Sequence, residues 1–500
     1  MTEKNSVKAV ILGGGTAGWL TALFVKHYWP SIDISVVEDP KKPPIIAGES
    51  GGFALSRLYD TVGIPFNDWA KAVGATPKLG GKFVGWNGKE SVFWHSLITN
   101  HYFAKWGKRF SSLEERYYFL RMLIGMNIDI ADVVPTGALL KNDKVPFDDY
   151  GAIVDKIFPM WHFDSRANAA YLKAKGLERN IKLVEGTYIT STKDDLGKIK
   201  SIQLENNITL PATWFFDCSG FARLLLEKEM KATSVDQSQY FPACAVLPWW
   251  DEPCYSTATL ATTMDAGWTW QIGLKERTGQ GYLYDPNHLT KDQALGEIRS
   301  KFGEHIEPVA SLQFTPSIML QSQLKNVIGI GLSTGFMEPL EANGTGIIVD
   351  QLLTLLETWN PTMYNELNED QFNSSVYKQY LGIRDFLSLH YRGKGNESAF
   401  WKEQTNPNNV PDTLQERLSD FERYFATGKM DFSKYLSGFS FESWLTVIQG
   451  MDLCNSKAIS VGDKHQLIDN YYKETIEPYD HIYRRCIKIE KWIEKTSNIK

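Results

Sequence analysis

Val7–Leu20 reads VKAVILGGGTAGWL, and Ile32–Glu38, a short way downstream, reads IDISVVE. Val7–Leu12 is an apolar strand, Thr16–Tyr28 carries a helical pattern, and Ile32–Val37 is a second strand that ends on Glu38, so the stretch predicts a β-α-β unit. Gly13, Gly15 and Gly18 form G-x-G-x-x-G directly between the first strand and the helix, with Thr16 and Ala17 inside the motif. Each residue type has a physical reason to be there. Glycine lets backbone N–H groups approach a pyrophosphate, the helix N-terminus favours its negative charge, and a carboxylate at the tip of the second strand accepts bonds from ribose hydroxyls. Strand, glycines, helix and acid together predict a dinucleotide site built from Gly13, Gly15, Thr16, Ala17, Gly18 and Glu38.

The chain does not continue with further β-α-β units. Lys182–Phe216 is a patchwork of short alternating segments, expected as antiparallel strands, and it runs into WFFDCSG, a buried strand ending in a turn at Asp217–Gly220. Asn326–Gly335, NVIGIGLSTG, is another apolar strand breaking into glycines, including Gly331, and TGIIVDQLLTLLETW after it reads as a helix. Beyond about Asn360 strand signals mostly stop. Phe372, Val376, Tyr380, Ile383 and Leu387 recur at spacings of three or four, an amphipathic helix. A dinucleotide module interrupted by antiparallel segments and resumed late at Asp217 and Gly331 is the layout of FAD modules of the monooxygenase kind. The expected fold class is therefore α/β with α+β elements: a Rossmann-like FAD module, an antiparallel β layer and a C-terminal helical layer. The expected division is residues 1–360 for the FAD module with its inserted β layer and 361–500 for the helical substrate-side layer, continuous as one unit. No second fingerprint for NAD(P)H is present, so reducing equivalents are expected from the substrate or from a separate reductase.

Composition narrows the partners. The 500 residues carry a net charge of -6, which argues against nucleic acid or an anionic membrane as an obligate partner, because both demand a concentrated basic surface. The apolar run near the start passes straight into glycines without a cleavage site, and no run approaches the roughly 18 apolar residues of a membrane span. A cytoplasmic protein acting on small molecules is expected, with homo-oligomerisation left open. Cys218, Cys244, Cys254, Cys454 and Cys486 are scattered and odd in number, fitting buried small hydrophobes and neither a disulfide framework nor a metal site. Sixteen Trp, 26 Phe and 22 Tyr suit a large core and equally a channel for planar ligands.

Several segments in order carry a closer likeness. GGGTAGW with Gly48, Glu49 and Ser50 downstream, Ala75–Trp86 (ATPKLGGKFVGW), WHFD at Trp161–Asp164, DCSGFARLL at Asp217–Leu225, Met264–Tyr282, Gly335–Ile347 (GFMEPLEANGTGI), IRDFLSLHY and SFESWL all resemble signature segments of the flavin-dependent tryptophan halogenase family. The resemblance implies that reduced FAD, O2 and a halide yield hypohalous acid, which crosses an internal tunnel to a lysine beside an electron-rich aromatic substrate. Lys78 occupies that lysine position. An amine suits the task, since it can hydrogen-bond hypohalous acid or form an N-halo species and so hold the electrophile against one carbon. Glu341 matches the family's active-site glutamate, able to polarise the oxidant and take up the ring proton. Trp268 and Trp270 fill the W-x-W positions that separate flavin from substrate, His95 matches an aromatic-lined position next to the substrate, and Glu49 joins the cofactor residues. A separate NAD(P)H-dependent flavin reductase is implied as a partner.

Three departures from the family pattern matter. Gly273 stands where W-x-W-x-I-P has proline, which relaxes the backbone by an entropic term of about 1 kcal/mol. After Glu341 the family continues E-S-T-G-I, its Thr-Gly pair cradling the halide; this chain has two more residues, so Asn343-Gly344 or Thr345-Gly346 would supply the N–H groups, and a looser cradle would admit a larger halide. The residues that clamp the amino and carboxyl groups of free tryptophan do not carry over, leaving indoles and phenols open. The alternatives are a flavin monooxygenase that hydroxylates, which would have no use for Lys78 or the Trp pair, and a non-catalytic flavin-binding relative.

Overall fold

A computed structural model describes residues 7–42, 48–51, 53–97, 113–362, 366–432, 438–454, 459 and 479–497. They fall into two compact units, each assembled from three stretches of chain: residues 1–75, 163–238 and 314–381 in the first, and 76–162, 239–313 and 382–500 in the second.

The first unit is built on the β-α-β element expected from the opening motif. Lys8–Leu12 pairs in parallel with Asp33–Glu38 on one side and Trp214–Asp217 on the other, and Thr16–Tyr28 is the helix between the first two strands. Val327–Gly329 extends the sheet in parallel, with Gln323–Leu324 antiparallel at that edge, while Lys182–Glu185 pairs in parallel with Asp33–Glu38 at the other. The last of these strands corrects the sequence reading, which placed the segment among antiparallel strands. Its direction follows from the helix Ser165–Glu178 immediately before it, a crossover that returns the chain to the same end of the sheet. Asp164 starts that helix by accepting N–H bonds from Arg166 and Ala167. Only Tyr188–Lys193, Ile199–Leu204 and Thr209–Pro211 form the expected antiparallel layer. The opening helix is apolar nearly all round because it is covered on both sides: its Trp19 is 0% exposed and lies where a side chain at Gly176 of the crossover helix would stand.

The second unit centres on a seven-stranded sheet in the order Leu312–Gln313, Ala245–Asp251, Thr278–Tyr284, Gly267–Gly273, Ala258–Met264, Gly80–Val84, Val92–Ser96. Successive hairpins make it antiparallel except where Ala258–Met264 meets Gly80–Val84 in parallel. A short strand, Thr76–Lys78, precedes it and pairs antiparallel with Met160–His162. The helices Asp412–Thr427 and Phe441–Gly450 realise the expected helical C-terminal layer. Phe372, Val376, Tyr380, Ile383 and Leu387 form the buried stripe of the helix Glu369–His390, each 5% exposed or less. Among the described residues no helix is long and apolar enough to cross a membrane.

Candidate active site

In the first unit the glycines of the opening motif divide their labour. Gly13 has φ +126°, and a Cβ there would stand 2.2 Å from the carbonyl oxygen of Cys218; one at Gly18 would stand 1.8 Å from the carbonyl of Gly13. Both are glycine because backbone occupies the space a side chain would need. Gly14 faces the side chain of Glu38 at similar range, whereas a Cβ at Gly15 would meet nothing within 4 Å. Gly15 caps the helix start, so the open space lies at N–H groups that lack intrahelical partners, as a pyrophosphate requires. Thr16 and Ala17 form the first helical turn; Ala17 also packs against Gly331, whose φ is +74° and whose N–H donates to Gln351 Oε1 at 2.7 Å. Glu38 sits beside the turn with Lys173 Nζ 2.9 Å from its Oε2. The sequence reading missed Lys173, which only the packing of the crossover helix brings there. Glu49 lies in the strand Gly48–Gly51, its side chain outside the described residues.

Asp217 is 0% exposed and fully engaged. Its Oδ1 accepts from the N–H and the hydroxyl of Ser219 at 3.0 and 2.6 Å, and its Oδ2 accepts from the N–H groups of Leu225 and Leu226, both at 2.8 Å. The carboxylate therefore ties the DCSG turn to the helical turn that follows. Burial pushes the thiol of neighbouring Cys218 up, making it an inert packing group.

Further along the same unit, Glu341 and Ala342 adopt left-handed φ of 60° and 54° immediately before the helix Asn343–Thr358. Two successive non-glycine residues in that region cost on the order of 1 kcal/mol or more each and recur at ligand-binding turns. The N–H groups of Asn343, Gly344, Thr345 and Gly346 open this helix, and a Cβ at Gly344 or Gly346 would meet nothing within 4 Å. Asn343 Nδ2 donates back to the Leu340 carbonyl at 2.8 Å. The start of this helix, with room for side chains at Gly344 and Gly346, is an electrostatically positive helix end.

In the second unit Lys78 is 5% exposed at the end of its strand. The next residue is gripped from both sides: Leu79 N–H donates to the Thr257 carbonyl at 2.7 Å, and Leu97 N–H donates to the Leu79 carbonyl at 2.6 Å. Thr76, two residues back on the same side of the strand, donates its hydroxyl to the Gly273 carbonyl at 2.6 Å. Gly273 is where the family pattern has proline. A Cβ there would stand 2.4 Å from the Cys254 carbonyl, so the 254–256 segment occupies the space a proline ring would need.

Strand register gathers the remaining predicted residues on one face of the seven-stranded sheet. His95 is opposite Gly81 and Gly81 opposite Thr259; one row along, Phe93, Phe83, Ala261 and Trp270 are successive partners, and Thr263 is opposite Trp268. Directly paired residues point to the same side, as do residues two apart. The Trp270 indole lies across Gly281 of the next strand, where a Cβ would fall 2.1 Å from the ring. Trp268 donates its Nε1–H to Tyr391 Oη at 3.1 Å, and its ring centroid is 6.0 Å from both Trp270 and Trp86. Trp86 touches Tyr391 and Trp401, which stack at 5.5 Å. The pair read from sequence is thus part of a five-ring wall. The signal for Trp86 and Tyr391 lay in the segments ATPKLGGKFVGW and IRDFLSLHY; nothing marked Trp401. His95 lies 5.9 Å from Phe386, which stacks on Phe439 at 3.8 Å and meets Trp444 at 5.3 Å, a second aromatic group suited to a planar ligand.

Comparison with known proteins agrees with this architecture. The family model described as Tryptophan halogenase matches residues 8–465. Tryptophan 6-halogenase ThaL of Streptomyces albogriseolus is 28% identical over 424 residues, 80% of this chain and 79% of its own. Tryptophan 7-halogenase RebH of Lentzea aerocolonigenes is 26% identical, covering 82% of this chain and 81% of its own. Among solved structures, Xcc4156, a flavin-dependent halogenase from Xanthomonas campestris, superposes with a TM-score of 0.84 at 22% identity over 98% of both chains. BrvH, a flavin-dependent halogenase from Brevundimonas sp. BAL3, gives 0.80 at 24% identity over 98% of this chain and 99% of its own. The chain belongs to the tryptophan halogenase family of flavin-dependent oxidoreductases, whose cofactor is FAD, used as FADH2 with O2 and halide.

Proposed function

We propose that this protein halogenates a small electron-rich aromatic, indole- or phenol-like, through hypohalous acid delivered to Lys78. The observation that carries the reading is a lysine buried on a short strand whose Thr76 is bonded to the very strand that presents Trp268 and Trp270. A buried lysine is costly to keep, and buried ionisable groups cluster at functional sites.

Bound FADH2 supplies the reducing equivalents that, with O2, turn halide into hypohalous acid. Gly13, Gly15, Thr16, Ala17, Gly18, Glu38, Glu49, Asp217 and Gly331 are the residues that would hold FAD, Asp217 by fixing the turn from Ser219 to Leu226. Asn343–Gly346 hold the halide through backbone N–H groups. Trp268, packed against Trp86, and Trp270 keep the flavin from hydroxylating the substrate directly. His95 and the rings around Phe386 position the aromatic ring, Lys78 presents the electrophile, and Glu341 takes up the ring proton. A separate NAD(P)H-dependent flavin reductase in the cytoplasm supplies FADH2.

The test combines the protein with FAD, a flavin reductase, NADH, O2 and each halide against a panel of indoles and phenols, reading product masses. A halogen isotope pattern supports the proposal; a gain of one oxygen would establish a hydroxylase instead. Lys78→Ala is expected to reoxidise flavin normally and yield no halogenated product, and normal halogenation by this variant would sink the mechanism.

A further inference from the structure

His162, in the WHFD segment, has no role in the mechanism proposed, yet it is 0% exposed and on the same side as Lys78 of the ladder between their strands. The ladder pairs Thr76 with His162 and Lys78 with Met160, which makes His162 the diagonal neighbour of Lys78, within reach of a long side chain. Its Nε2 is 2.8 Å from Thr259 Oγ1, on the sheet face that also carries His95 and Trp270. Its Nδ1 is buried and has no hydrogen-bond partner among the described residues. An orphaned buried N–H is rarer than an under-satisfied acceptor. The tautomer that fits has Nε2–H donating to Thr259, leaving the Nδ1 lone pair free. Burial first, and the charge of Lys78 second, push this histidine well below the ordinary range, so it rests as neutral imidazole.

We propose that His162 is the base for Lys78, its Nδ1 taking the proton that the lysine ammonium sheds when the amine combines with hypohalous acid. In this step one ammonium proton moves to Nδ1, the freed amine attacks the halogen so that the N–X bond forms as the X–O bond breaks, and a second nitrogen proton leaves with the departing hydroxide as water. When the aromatic carbon attacks the halogen, the N–X electron pair returns to nitrogen and the imidazolium gives its proton back. The carbon is oxidised, the halogen reduced, and the ring proton passes by way of a carboxylate to the neutral amine, restoring the ammonium, so the sum remains aromatic plus hypohalous acid giving haloaromatic plus water. The arrangement is self-consistent electrostatically: the positive charge that keeps His162 neutral disappears from Lys78 as the proton moves, so two cations never coexist. A base poised this way contributes about 10²-fold or more.

This inference rests on the assignment of Lys78, and the test separates the two. His162→Gln places an amide nitrogen near the Nε2 position, keeping a donor for Thr259 while removing the base at Nδ1. In the FAD-loaded enzyme with its reductase, flavin reoxidation is expected to stay unchanged. Halogenated product per reoxidation should fall about 10²-fold, and hypohalous acid captured by a soluble 1,3-diketone should rise to match. A merely structural histidine would not shift product into free oxidant while sparing the flavin steps. Undiminished coupling in His162→Gln, with Lys78→Ala inactive, overturns the role of His162 alone; halogenation by Lys78→Ala overturns both. Should His162→Gln fail to fold, ¹⁵N NMR of the unsubstituted protein decides, since an unprotonated Nδ1 is expected and a protonated one refutes the proposal.

Discussion

Gly281→Ala would test whether the wall is held by the register described. The added methyl would sit 2.1 and 2.2 Å from two ring carbons of Trp270, Cζ2 and Cη2, with a third at 2.8 Å. Carbon–carbon contact wants about 3.5 Å, so the indole must retreat by roughly 1.4 Å. It has little room, because Trp270 is 5% exposed and Trp268 stands 6.0 Å away. Overpacking of this kind costs about 1–3 kcal/mol, or a fall in Tm of roughly 1–5 °C. Thermal unfolding of Gly281→Ala, Trp270→Ala and the double variant gives the coupling directly. The methyl should be nearly harmless where the indole is gone, leaving an interaction of about 1–3 kcal/mol. Additive effects would refute the placement of Trp270 over Gly281. The displaced wall should also raise oxygenated over halogenated product, read by mass spectrometry in the same preparations.

Three further outcomes are expected. Asp217→Ala strands the N–H groups of Leu225 and Leu226 together with Ser219, and should cost about 2–6 kcal/mol by chemical denaturation; a loss below 1 kcal/mol would mean the turn holds without it. Burial pushes the Asp350 carboxyl up to about 6 from 3.8, so the folded state keeps its proton longer than the unfolded state and loses stability as pH rises through that window. Asp350→Asn should therefore match the parent near pH 4 and exceed it by on the order of 1–3 kcal/mol at pH 7, with a constant difference across pH telling against the buried carboxyl. Gly344→Ala and Gly346→Ala meet no neighbouring atom within 4 Å, so they should leave stability the same or slightly raised while raising the halide KM; competition among chloride, bromide and iodide should favour the larger ions, and strict chloride preference would dismiss the widened cradle.

What the chain determined on its own was local. The turn from Gly13 to Gly18 is legible because its constraint is a backbone one, and glycine is nearly the sole residue that meets it; Glu38 is legible because strand length fixes where it falls. The stripe from Phe372 to Leu387 is legible because helical periodicity is written in consecutive residues. Lys78, Glu341, Trp268 and Trp270 stand out only through surrounding segments that resemble the family's signatures. Tertiary structure decided what depends on pairing between distant segments. Lys182–Glu185 has an alternating pattern compatible with either direction, and only the preceding crossover helix makes it parallel. Lys173 reaches Glu38, Trp401 joins Trp86, and Thr76 finds the Gly273 carbonyl, across separations no local pattern records. The left-handed pair Glu341–Ala342 carries no glycine to announce it. His162 could be named from sequence but not given a partner, because a strand has no opposite residue until its register is set, and register is an energy minimum of the whole sheet.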